Sequence, residues 1–325
     1  MVAVVNGSSV LLFFGGVGAL VALVSLVVVQ TEGWQKKAFL TFANRVTLWV
    51  SDEVISAAVT RRLRRSAMGA AIGALIGIVA VALIVVVGPT IPFRSTVYLV
   101  AFPVLFVAVS VIPVTLALRD ELYVHADDSP RIARTSHVEV RDYVSPGRFW
   151  APPVFGAAAT VLVALGVGLS ASGQIDGPRF FGSAAVPWTA VVIVVLALGW
   201  AAARKIVRGN QTATDGLELA WSDAMRADAL RNLWALGTAI AWFAVVVAGL
   251  GLLGALEAPI EPSWAAIILQ TSATWGAIVI SRIYSTGGAY SYFRYRLWPD
   301  LGDVGEIVDE SSEDADDAEI EERRS

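Results

Sequence analysis

Two histidines, His125 and His137, stand among Asp120, Glu121, Asp127, Asp128, Glu139 and Asp142. Imidazole and carboxylate together suit zinc or manganese, with ligand bonds of about 2 Å. The two imidazoles are twelve residues apart, which matches no ligand pattern, and acidic residues are ordinary in a solvated loop. No metal site and no cofactor is therefore expected. Cysteine is absent, which removes disulfides, thiolate nucleophiles and cysteine-ligated zinc or iron–sulfur centres.

The long apolar stretches hold no Asp, Glu, Lys, Arg or His. Ionisable groups inside a membrane mark proton relays and ion pathways, so a proton-coupled pump is not expected. The last stretch lacks the lysine that a retinal Schiff base requires, and Ser-His or paired-aspartate proteolysis lacks its residues too. No catalytic residue is assigned. Two marks remain inside the stretches. Gly69, Gly73 and Gly77 recur every four residues, so they share one helix face and form a packing seam where a neighbouring backbone can come close. That neighbour belongs either to this chain or to a second copy. Gln270, Thr271 and Thr274 make the last stretch the most polar; in hydrocarbon such groups need partners. They act as glue between helices or line an intramembrane polar path. Pro103 and Pro113 interrupt the hydrogen-bond ladder of the third stretch.

The elements that carry these residues are membrane spans. Of the 325 residues 56% are hydrophobic and 16% charged, with a mean hydropathy of +0.66; a soluble domain has about 25% charged. A span needs about 20 apolar residues. Seven stretches qualify: Val10 to Val29, Gly69 to Val87, Val97 to Leu118, Ala151 to Leu169, Ala185 to Ala203, Leu233 to Leu256, and Trp264 to Ser281. The connections 30–68, 119–150 and 204–232 carry seven, five and five Lys or Arg, while those between them carry one (Arg94), one (Arg179) and none. Positive charge stays in the cytoplasm. The fold expected is all-α: a polytopic transmembrane bundle of about seven spans, amino terminus outside, carboxy terminus cytoplasmic. Met1 to Ser9 has no basic residue, so the first span reads as an uncleaved anchor.

Three regions follow: residues 1–283 as the bundle with its three cytoplasmic loops, 284–299 as an aromatic and basic juxtamembrane segment, and 300–325 as an acidic disordered tail. In the first loop Phe39, Phe42, Val46, Trp49 and Val50 recur at helical spacing. This amphipathic helix lies on the inner leaflet, docks a partner or packs under its own bundle. Tyr284, Tyr290, Tyr292, Phe293, Tyr295 and Trp298 alternate with Arg282, Arg294 and Arg296 and read as a ribbon hugging the membrane. The tail has twelve acidic residues before Arg323 and Arg324, a charge of −10 that leaves the rest of the chain at +6. Such a segment cannot bury enough apolar surface to order itself. It solvates, or it reaches a partner or its own basic loops.

The first six spans pair into three hairpins, and Arg141-Asp142-Tyr143 with Trp150 faintly matches Arg226-Ala227-Asp228 with Trp234 as in a repeat. The phrases Pro130-Arg131-Ile132-Ala133-Arg134, Arg141-Asp142-Tyr143-Val144-Ser145-Pro146 and Leu217-Glu218-Leu219-Ala220-Trp221-Ser222-Asp223-Ala224-Met225-Arg226 resemble multi-pass membrane proteins of unassigned function from high-GC Gram-positive bacteria. That resemblance implies no activity and assigns no residue a role.

The expectation is a multi-pass protein of the plasma membrane that is not an enzyme and works by interaction on its cytoplasmic face. The second reading is a transporter or permease component for an uncharged or apolar solute. Expected partners are membrane lipid and other membrane or cytoplasmic proteins, with no nucleic acid; a homo-oligomer is left open. Reporter fusions should place positions near Ser9, Pro89, Gly177 and Pro259 outside, and positions near Arg62, Asp128 and Gly216 inside. One reversed pair would show that a span has been miscounted.

Overall fold

A computed structural model describes residues 7–48, 53–87, 108–119, 138–209, 216–256 and 262–299, and its described residues form helices and turns with no strand. The helices are α1 (Gly7–Val28), α2 (Glu32–Val46), α3 (Glu53–Val87), α4 (Ala108–Arg119), α5 (Val140–Tyr143), α6 (Pro146–Ala171), α7 (Gly177–Phe181), α8 (Ala185–Arg208), α9 (Gly216–Gly254), α10 (Pro262–Ser285), α11 (Gly287–Tyr290) and α12 (Tyr292–Leu297). Four of them are long and apolar enough to cross a membrane, or five if α1 and α2, bent by 89°, count as one. The third apolar stretch is described only from Ala108 onward, and His125, His137, Pro103 and the acidic tail lie outside the described residues.

The exposed surface is apolar along these helices. Leu20 on α1, Val79 on α3, Val161 on α6, Leu198 on α8 and Trp275 on α10 are all more than half exposed. Water would charge about 25 cal/mol for each Å² of such surface, whereas lipid charges nothing. Such a surface suits the outer face of a bundle whose helices are long and apolar enough to cross a membrane. Its interior post is α9, which packs most closely against α6 and α8 and also against α10, with Ala220, Ala241, Ala244 and Ala248 fully buried. Alanines along the contact face let the neighbouring helices approach.

Two helices outrun the bilayer. At 1.5 Å per residue, the 39 residues of α9 and the 35 of α3 extend about 58 and 52 Å, against about 30 Å of hydrocarbon. The polar segments 53–68 and 216–232 are therefore not loops; they continue the helices that enter the membrane. Both polar halves lie at the same end, where Arg62 donates to the Met225 carbonyl at 2.9 Å. At this polar end α2, α5, α11 and α12 close round them, and Phe39, Tyr143, Trp221, Leu230 and Phe293 share one buried core. The amphipathic helix α2 is thus packed under its own bundle, with Phe39 stacked 5.9 Å from Trp221. The corner before it is held by Thr31, whose hydroxyl donates to the Val28 carbonyl at 2.7 Å and accepts from the Trp34 amide. The two phrases that suggested a repeat sit in unlike elements: Arg141-Asp142-Tyr143 in a four-residue helix, and Arg226-Ala227-Asp228 inside the 39-residue α9.

The glycine seam lies between α3 and α4. Gly69, Gly73 and Gly77 are all buried. A Cβ at Gly69 would come within 2.9 Å of Leu116 and 3.2 Å of Ile112, and one at Gly73 would overlap the Ala108 carbonyl and stand 3.1 Å from the Val109 Cα. The neighbour is the same chain, running antiparallel, and at Gly73 it is backbone that cannot rotate away. Gly73→Ala should destabilise the detergent-solubilised protein by about 1–3 kcal/mol, the cost of overpacking. Gly168→Ala, with nothing within 4 Å, should be neutral or gain up to about 1 kcal/mol. Equal thermal unfolding of the two variants would refute the seam.

Candidate functional site

Near its start α6 contains Pro152 and Pro153. Proline has no N–H, so the carbonyls four residues earlier, those of Arg148 and Phe149, lose their ladder donors. A carbonyl left unpaired at this depth is costly, and both are taken by other helices. The Tyr284 hydroxyl of α10 donates to the Arg148 carbonyl at 3.0 Å, and the Trp234 indole of α9 donates to the Phe149 carbonyl at 3.0 Å. Tyr284 lies just beyond the apolar stretch of α10. Burial pushes its hydroxyl up to about 12, so it remains a neutral donor at physiological pH. Its oxygen also bonds Thr238 at 2.8 Å, which ties α6, α9 and α10 together at one atom.

Half-buried Arg148 and buried Arg231 and Arg294 hold the rest of the polar end. Arg148 donates to the carbonyls of Ile283 at 2.9 Å and Gly288 at 3.3 Å and to the Thr286 hydroxyl at 2.9 Å. Arg231 donates to the Tyr284 carbonyl at 2.8 Å. Together they cap the carbonyl end of α10, where positive charge also meets the negative pole of the helix. Tyr290 lies between two guanidinium groups, Arg231 at 3.7 Å and Arg45 at 5.1 Å from its ring centre. Asp223, fully buried, accepts from the Tyr143 hydroxyl at 2.7 Å and the Trp298 indole at 2.9 Å. Arg294 donates to the hydroxyl of Thr47, a β-branched residue with φ of +56°, a region such residues rarely enter. Segment 284–298 is therefore not a ribbon on the membrane. Phe293 and Arg294 are inserted in the core.

Beside this junction a groove opens between α6, α8 and α9. Its apolar part, about 490 Å³, is walled by Trp150, Pro152, Leu196, Gly199, Trp200 and Leu233. It continues past Trp200 into two basic recesses of about 410 and 570 Å³, which Arg141, Arg204, Lys205 and Arg208 line. Four rings pack together here: Phe149 meets Trp150 and Trp200 edge-on and stacks on Trp234, and Trp200 lies tilted against Trp234, with ring centres 5.3 to 6.1 Å apart in these pairs. Arg141 sits over Phe149 and Trp150, and Arg204 over Trp200. Glu139 is the acidic residue among the lining.

The residues singled out in α10 do not join this site. Thr271 and Thr274 are exposed on the helix surface, and the Gln270 side chain lies outside the described residues. The neighbouring Ser272 carbonyl accepts the Trp242 indole at 3.1 Å, a bond between helices that runs through backbone. Among the described residues no cluster of three His, Asp or Glu could hold a metal. The groove escaped the sequence reading, although Pro152-Pro153 beside Trp150 was its available signal. No protein-family model, curated protein or solved structure matches this chain.

The proline arrangement makes a coupling testable. Tyr284→Phe should cost about 1–3 kcal/mol, because a buried carbonyl loses its donor. With Pro152→Ala the Arg148 carbonyl regains a ladder partner, and the cost of Tyr284→Phe should fall by about 1 kcal/mol or more, read as the interaction energy of a double-mutant cycle. Strict additivity of the two changes would show that the hydroxyl does not replace the missing amide.

Proposed function

We propose that this chain is a plasma-membrane protein of about seven spans, amino terminus outside and carboxy terminus cytoplasmic, whose work is non-enzymatic interaction through its cytoplasmic face. The observation that carries the reading is the folded layer at the polar end. Segments between spans need only connect, yet here α2, α5, α11 and α12 and the polar halves of α3 and α9 build a core of their own, with Asp223, Arg226 and Arg294 buried in it. A layer ordered at that cost presents a fixed surface, and a fixed surface is what binding without large entropy loss requires. The loop charges support the orientation, since the described parts of the three basic connections fall at this end. At the opposite end the described connection between α6 and α8 is the short α7. Transport is the weaker reading, because Thr271 and Thr274 line none of the cavities described above.

Photo-crosslinking residues placed in living cells at exposed Lys36 and Leu40 on α2 should give discrete protein adducts. The same residues at exposed Gln174 and Arg179, at the other end, should give none. Adducts confined to the second pair, equal at both ends, or absent from both would remove the cytoplasmic face as the working surface.

A further inference from the structure

We propose that the groove between α6, α8 and α9 binds one molecule of an anionic phospholipid, with its phosphodiester against Arg204 and Arg208 and an acyl chain along Leu196, Gly199 and Leu233. The proposal rests on the membrane reading above but not on its orientation.

Three observations converge on that occupant. The groove is polar at one end only: along α8 the distance from Leu196 to Arg208 is about 18 Å at the helical rise, apolar through Trp200 and basic beyond it. An inorganic anion would use the basic end and leave the apolar wall empty, and a hydrocarbon would do the reverse. A phospholipid matches both. The groove also opens beside lipid-facing side chains, with Trp150, Val154 and Leu198 more than half exposed, so a chain enters it from the membrane without crossing water. Finally, the buried arginines of the polar end are used in holding helices, whereas among the described residues Arg141, Arg204 and Arg208 form no ion pair. Basic residues in the last turn of α8 complement its dipole, but a dipole needs no aromatic-walled cavity beside it. Basic pockets between membrane helices take up anionic headgroups.

The aromatic rings define the depth. Trp150 and Trp200 flank the place where the groove changes character, as indoles do at the level of lipid headgroups. Gly199 keeps the apolar part open: a Cβ there would meet Leu233 at 3.6 Å, an ordinary contact, so a larger side chain at this position fills the groove without forcing backbone apart.

The test uses the full-length protein purified in neutral detergent, with phosphatidylglycerol and phosphatidylcholine of identical acyl chains as probes, read by native mass spectrometry and by thermal unfolding. Phosphatidylglycerol should bind roughly tenfold more tightly and raise the unfolding temperature. Arg204→Gln with Arg208→Gln should abolish that preference with at most a small drop in unfolding temperature without added lipid, the loss of dipole and ring contacts, and Arg204→Lys with Arg208→Lys should restore most of the preference. Gly199→Leu should weaken both lipids. Millimolar inorganic phosphate should not displace either. Equal binding of the two lipids, an unchanged preference in the double glutamine variant, or displacement by phosphate alone would overturn the proposal. So would phosphatidylglycerol binding that emerges only after deletion of residues 300–325, which would make the acidic tail the groove's occupant. Because binding is read in detergent, a reversed topology would leave this result standing while removing the cytoplasmic reading.

Discussion

The described bundle depends on two carbonyl oxygens. In hydrocarbon the helix ladder satisfies its own backbone, and that self-sufficiency leaves apolar helices little reason to choose one neighbour over another. Pro152 and Pro153 break it at one place, and the freed oxygens of Arg148 and Phe149 select partners by chemistry: a phenol from α10 and an indole from α9. Because each donor sits on a different helix, satisfying both fixes α9 and α10 against α6 at one level and in one rotation. Dispersion along the alanine-lined face of α9 then supplies contact energy in a register already set.

Arginine extends the same logic below the membrane. Each helix end presents carbonyls without partners, and at the polar end arginine side chains supply donors to them. A guanidinium carries five donors in a planar fork, so Arg148 alone satisfies two carbonyls and a hydroxyl in the turn that follows α10. Burying a charge such as that of Arg231 is costly, and the cost is offset where the guanidinium bonds the end of α10, whose dipole attracts it. This gives a second meaning to the basic residues counted for topology: Arg62, Arg148, Arg226 and Arg231 bond carbonyls, while Arg204 and Arg208 remain at the rim of the groove.

Much of this was legible in the sequence, and the failures have common causes. Stretches free of charge announced the apolar helices, and the four-residue spacing of Gly69, Gly73 and Gly77 announced a seam whose backbone neighbour proved to be α4. The extent of α3 and α9 was not legible, because hydropathy reports where a helix meets lipid and falls silent where it continues into water. The segment 284–298 misled for a related reason: alternating aromatics and arginines suit an interface, and they equally suit a small core closed by cation–π contacts. Only the fold distinguishes the two. Gln270, Thr271 and Thr274 drew attention by polarity; Thr271 and Thr274 are exposed, and one cross-helix bond nearby uses the Ser272 carbonyl, which no side-chain pattern encodes. Pro152-Pro153 was visible throughout, but its meaning lies in Trp234 and Tyr284, distant in sequence.

The groove and the junction are one construction. Pro152 and Pro153 wall the apolar groove while their missing amides recruit Trp234, which forms another part of that wall. A ring-lined cavity therefore arises where α6 is prevented from bonding to itself, since the indole that repairs the ladder must approach along the side and cannot fill the space beneath it. Phe149 completes the link: its carbonyl accepts the Trp234 indole, its ring stacks on Trp234 at 5.8 Å and meets Trp200 at 5.4 Å, and Arg141 lies over it at 5.2 Å. Whatever occupies the groove touches the residues that set the register of α6 against α9. An occupant that binds the folded bundle and not its separated helices stabilises that register by mass action, so the same few groups that hold these helices together would answer to whatever fills the groove.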